Sequence, residues 1–119
     1  MYVFAILISC FFQEANFELF TETGDRIASS VENDGKGIYL INSSRYLQIA
    51  YSSGLKIESV ETTQIRDGVR IGSIKTSAKI GMKYFNENLK AGDELVIEII
   101  LTSESDGDDS VIFNLDVKK

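Results

Sequence analysis

The side chains able to do chemistry fall into two groups. Glu104-Ser105-Asp106-Gly107-Asp108-Asp109-Ser110 is the densest acidic run of the chain. Closely spaced carboxylates on a loop suit Ca²⁺, a hard cation that takes about six to eight oxygens. The run lacks EF-hand spacing, because Asp109 stands where the loop needs Gly and Leu115 where it needs Glu. Without a cation, the same residues are a solvated tip between two strands. The second group is Arg66, Arg70, Lys75, Lys79 and Lys83, gathered around Asp67-Gly68. If Arg66 and Arg70 share a face of paired strands, they form a compact interaction patch. It suits an acidic protein, an anionic glycan or the acidic end of a second copy. The alternative is a charged strand face that only meets water.

Other chemistries are closed by composition. The chain has no His, so Ser-His and Cys-His catalysis are absent. Its single cysteine, Cys10, forms no intrachain disulfide, and a tetrahedral Cys/His zinc site is impossible. Scattered Asp and Glu leave a carboxylate-based hydrolase as a formal alternative, but no pair is marked out. The reading is therefore non-enzymatic, without a cofactor. A net charge of −6 disfavours nucleic acid, whose phosphates require cations. The charge is unevenly spread. Residues 1–44 carry six acids and two bases, 45–90 four acids and eight bases, and 91–119 eight acids and two bases. The middle is basic and both ends are acidic, which favours head-to-tail self-association.

The elements that hold these residues are strands. Leu95, Ile97, Ile99 and Leu101 alternate along one segment; Val111, Phe113, Leu115 and Val117 alternate along the next. Alternation puts each set on one face, so the two segments make a hairpin over a shared core. Phe17–Glu22, 26–31, 38–41 and 46–51 are further strand candidates. Leu55 and Ile57 change parity with Val60, which predicts a β-bulge in a longer strand. Asp67-Gly68 between alternating residues is a strong hairpin signal. In 78–85, Ile80, Met82 and Tyr84 alternate inward. Asn33-Asp34-Gly35 favours positive φ and predicts a loop. With turn signals every 8–12 residues or so, the pattern predicts an all-β, antiparallel β-sandwich or barrel of about eight strands.

Met1–Phe12 stands apart, with twelve uncharged and almost wholly apolar residues. It is shorter than the about 20 residues of a spanning helix. It matches the core of a signal peptide in length, although no Lys or Arg precedes it. Leu7-Ile8-Ser9-Cys10 resembles a lipoprotein processing box. The division is thus an apolar segment at 1–15 and a single β-sandwich domain at 16–119. The segment is an export signal, a membrane anchor, a buried strand or short helix of its own domain, or a surface for a neighbouring copy. Asn42-Ser43-Ser44 is a glycosylation acceptor pattern, relevant only in a glycosylating compartment.

Asn88-Leu89-Lys90-Ala91-Gly92-Asp93-Glu94-Leu95-Val96-Ile97-Glu98-Ile99 resembles a phrase common in bacterial and archaeal immunoglobulin-like surface modules. The resemblance implies an immunoglobulin-like sandwich in which a Gly-bearing turn leads into a long inner strand. It also implies an adhesive or assembly role outside the cytoplasm or at the cell surface, and no catalytic residues. The Cys and Trp core of antibody domains is absent. The expected function is a non-enzymatic, extracytoplasmic interaction or assembly module, with a protein partner or a second copy as its ligand. Membrane association would run through residues 1–12. The alternatives are a structural subunit of a filament, phage or virion, and a calcium-dependent binder or hydrolase.

Overall fold

The computed structural model describes residues 16–51, 56–102 and 109–119. The strands are β1 (Phe17–Thr21), β2 (Arg26–Ser29), β3 (Lys36–Leu40), β4 (Tyr46–Tyr51), β5 (Lys56–Arg66), β6 (Val69–Thr76), β7 (Lys79–Gly81), β8 (Glu94–Thr102) and β9 (Asp109–Lys118). A 3₁₀ turn covers Asn33–Gly35, and one short helix, α1, covers Lys83–Asn88. The segment 1–15 and the loop 103–108 fall outside the described residues, so the anchor and calcium expectations are not addressed by the fold. Among the described residues, no helix is long and apolar enough to cross a membrane.

The strands form two sheets around one core. The four-stranded sheet has the order β2-β1-β4-β7 and is antiparallel throughout. The five-stranded sheet has the order β3-β9-β8-β5-β6. The all-β, sandwich-like expectation therefore holds, but a wholly antiparallel sandwich does not, because β3 runs parallel to β9. Parallel neighbours need a long connection, and here more than half of the chain, residues 41–108, separates them. After β2 the chain leaves the first sheet, turns through Asn33, Asp34 and Gly35 at positive φ, and enters the far edge of the second.

The inward faces are those that alternation selects. Phe17 and Leu19 of β1, Leu47 and Ile49 of β4 and Ile80 of β7 belong to one buried cluster with Val60 of β5. Leu95, Ile97, Ile99 and Leu101 of β8 join it, as do Phe113, Leu115 and Val117 of β9. Each large side chain so buried contributes about 1.5–3 kcal/mol. The bulge implied by the parity change is present, as a register shift between Ile57 and Ser59.

One stretch departs from its expected form. Residues 78–85 are not one strand: β7 ends at Gly81 and α1 follows. Phe85 is buried and Tyr84 is exposed, the reverse of the strand alternation. A six-residue helix is marginal alone and is held here by tertiary bonds. The Met82 N–H donates to the Arg45 carbonyl at 2.8 Å. The Asn86 amide donates to the Ser44 carbonyl at 2.8 Å and accepts from the buried Tyr39 hydroxyl at 2.6 Å.

The side of the molecule where β2 meets β3 is closed. A Cβ on Gly37 would stand 2.0 Å from the Ile27 carbonyl oxygen and 3.1 Å from the Ala28 methyl. Only glycine permits this approach. Gly37→Ala is expected to lower stability by about 1–3 kcal/mol by forcing the two strands apart. Thermal unfolding of the variant measures this, and an unchanged midpoint would contradict the close approach.

Candidate interaction surfaces

The five basic residues do not form one patch. Arg66 ends β5 and is drawn to a carboxylate 27 positions away in sequence. Its Nε and Nη2 donate to the two Asp93 carboxylate oxygens, each at 2.8 Å. Nη2 also donates to the Asn88 carbonyl at 3.1 Å. Asp93 is buried, and it accepts as well from Gln64 Nε2 at 3.0 Å and from the Lys90 N–H at 2.9 Å. The two-pronged guanidinium contact holds its carboxyl well below the usual carboxylate range, and the Lys90 and Gln64 bonds add to that against the opposing effect of burial. Asp93 lies in the phrase that resembles the surface modules, after Gly92 at φ 97°. Its chemistry here is a clamp. It ties the end of β5 to the turn between α1 and β8, and Arg66 is spent on that bond.

Arg70 and Lys75 both lie on β6. Arg70 Nη2 meets Glu61 Oε2 at 3.4 Å, and the Ser73 hydroxyl donates to the same oxygen at 3.0 Å. Lys75 stands opposite Glu61 in register. Lys79 belongs to the other sheet, where its ammonium sits 4.1 Å from the centroid of the Tyr46 ring, a cation–π contact. Lys83 opens α1 and is exposed. The structure thus sets Arg70 and Lys75 around Glu61 on one sheet, Lys79 on the edge strand of the other, and Lys83 on the helix between them. Among the described residues, no group of three His, Cys, Asp or Glu side chains could hold a metal ion. Of the described tyrosines, Tyr39 is buried in the core, while Tyr51 and Tyr84 are exposed.

Sequence reasoning missed two features. The first is the outer face of the five-stranded sheet. Register sets Glu61 opposite Glu98, and Glu94 opposite Asp116. Like charges facing each other across a ladder are unfavourable. Ile38, Leu40 and Ile112 lie exposed on this face. The alternation of Glu94, Val96, Glu98 and Ile100 is visible in the sequence, but the pairing that opposes the carboxylates is not.

The second feature is the β6 edge. The other sheet edges are short: four residues in β2, three in β7 and five in β3. β2 and β3 also close against each other. Among the described residues, β6, with eight residues, has only β5 as a hydrogen-bonded neighbour. Asp67 (φ 52°) and Gly68 (φ 78°) are both left-handed, as a two-residue type I′ turn requires. That turn makes Arg66 and Val69 a hydrogen-bonded pair. Alternation along β5 then turns the N–H groups of Ser73 and Lys75 outward, away from β5. Val69 (60% exposed), Ile71 (44%) and Tyr84 (43%) surround this edge. Tyr84 crosses beside Gly72, with its hydroxyl 3.1 Å from the place of a Cβ. Edges of this length are blunted by proline, by charged side chains, by inward charges or by a bulge. β6 has no proline, and Arg70, Lys75 and a bulge at Gln64/Ile65 are what protect it. Compared with known proteins, the chain matches no family model, no curated protein and no solved structure.

Proposed function

We propose that this chain is a non-enzymatic interaction or assembly module of immunoglobulin-like build, acting outside the cytoplasm or at the cell surface. The observation that carries the interaction role is the β6 edge, which is long, unpaired among the described residues and rimmed by exposed apolar groups. A strand supplied from elsewhere would satisfy its outward N–H and C=O groups, with side-chain contacts giving selectivity. The build is supported by strand order. Setting β2 and β3 aside, β1-β4-β7 and β9-β8-β5-β6 have the A-B-E and G-F-C-C′ neighbour relations of an immunoglobulin sandwich. The extra strands β2 and β3 depart from that plan. Location rests on the sequence of residues 1–12 and on the resemblance of residues 88–99 to surface modules. The reading as a structural subunit of a filament, phage or virion is favoured by the same edge, because strand addition between copies builds rows. Amide hydrogen exchange along β6 in the intact chain tests the role. Ser73 and Lys75 should exchange freely in dilute protein and become protected on association.

A further inference from the structure

We infer that the β6 edge receives residues 1–12 of a second copy of this chain, added as a strand. The inference rests on the reading of β6 just given and names its occupant. The occupant must be extended, must bring unmet backbone groups of its own, and must lie beside exposed Val69 and Ile71 and half-buried Ile74. Residues 1–12 contain no charge, no proline and no glycine. Tyr2, Val3, Phe4, Ile6, Ile8, Phe11 and Phe12 favour strand, and so apolar a strand needs cover on both faces. At about 3.3 Å per residue the segment spans roughly 40 Å, against roughly 26 Å for the eight residues of β6.

Two other occupants fit less well. A second β6, paired with Ser73 opposite Lys75 as the outward groups require, would set the two Lys75 side chains diagonally across one ladder, like charges about 7–8 Å apart. The segment of the same copy leads into Phe17, which sits in the opposite sheet between β2 and β4. To reach its own β6 it would have to run parallel to that strand and cross the end of the molecule within residues 13–16. A neighbouring copy is free of both constraints and can pair antiparallel. The contact is heterologous, since the segment of one copy meets the edge of the next, so it propagates into a row instead of closing as a dimer.

Cys10, the sole cysteine, makes the test direct. Arg70→Cys and Lys75→Cys place a second thiol at either end of β6, each at an exposed position, and Leu40→Cys places one on the outer face of β3. The full chains are concentrated, oxidised and mapped by peptide mass spectrometry. The expected result is a ladder of covalent multimers joined through Cys10 and a β6 cysteine, in one or both β6 variants and at least tenfold above the β3 variant. Cys10 joined to β6 within a single copy, or joined to β6 no more often than to β3, overturns the inference. If Ser73 and Lys75 are protected on association while Cys10 stays unlinked to β6, the edge reading stands and only its occupant falls.

Discussion

Phe113→Ala is expected to lower stability by about 3–5 kcal/mol. Phe113 is fully buried on β9, directly opposite Ile97 of β8, and belongs to the cluster shared by both sheets. β9 lies between β3 and β8, so the cavity would open beneath an interior strand of the larger sheet. Collapse around it is limited, because β8 and β9 are fixed by a ladder running from Glu94↔Asp116 to Leu101↔Asp109. Ile97→Ala, one strand away, is expected to cost about 2–5 kcal/mol by the same argument. Urea unfolding measures both. A loss below about half a kcal/mol in both would mean that the hairpin buries its other face.

Asp93→Ala is expected to cost about 2–4 kcal/mol, because it takes one partner from the buried Gln64 amide, removes that of the Lys90 N–H and leaves Arg66 one of its three bonds. The pH dependence follows from the same contacts. The folded carboxyl is held below its ordinary value of 3.8. Its contribution is therefore fully present above about pH 4 and is lost as pH falls toward the lower folded value, since the unfolded chain takes up the proton first. Glu22, held down by the Arg45 side-chain and backbone N–H groups, acts in the same direction. The diagnostic is consequently a difference. Between pH 5 and pH 2, the melting temperature of Asp93→Asn should fall less steeply than that of the wild type. Parallel curves would show that Asp93 is not clamped in its ionised form.

What was legible in the sequence was local. Alternation in β8 and β9 selected the buried faces. Asp67-Gly68 marked its turn through the positive φ both residues adopt, and Asn33-Asp34-Gly35 did the same. The parity change after Ile57 announced the bulge. What was hidden depends on partners distant in the chain. α1 passed for strand because Ile80 and Met82 alternate, and nothing local says that Phe85 rather than Tyr84 turns inward. The parallel pairing of β3 with β9 has no local signature. The basic cluster dissolved for the same reason. Arg66 reads as free until Asp93 is brought to it, and Arg70 until the hairpin brings Glu61 beside it. The open edge at β6 is equally invisible, since a strand's own sequence does not say how many neighbours it has.

The most direct test of the account is amide hydrogen exchange at Ser73 and Lys75 of the intact chain, followed from dilute to concentrated solution with light scattering in parallel. In dilute solution both amides should exchange quickly, as outward groups of an unpaired edge, while Thr62 and Gln64 in β5 stay protected. As mass increases, both β6 amides should slow by about tenfold or more. Fast exchange at Ser73 and Lys75 in an associated sample, or an intact chain that stays monomeric throughout with both amides unprotected, would contradict β6 as the edge through which this protein assembles.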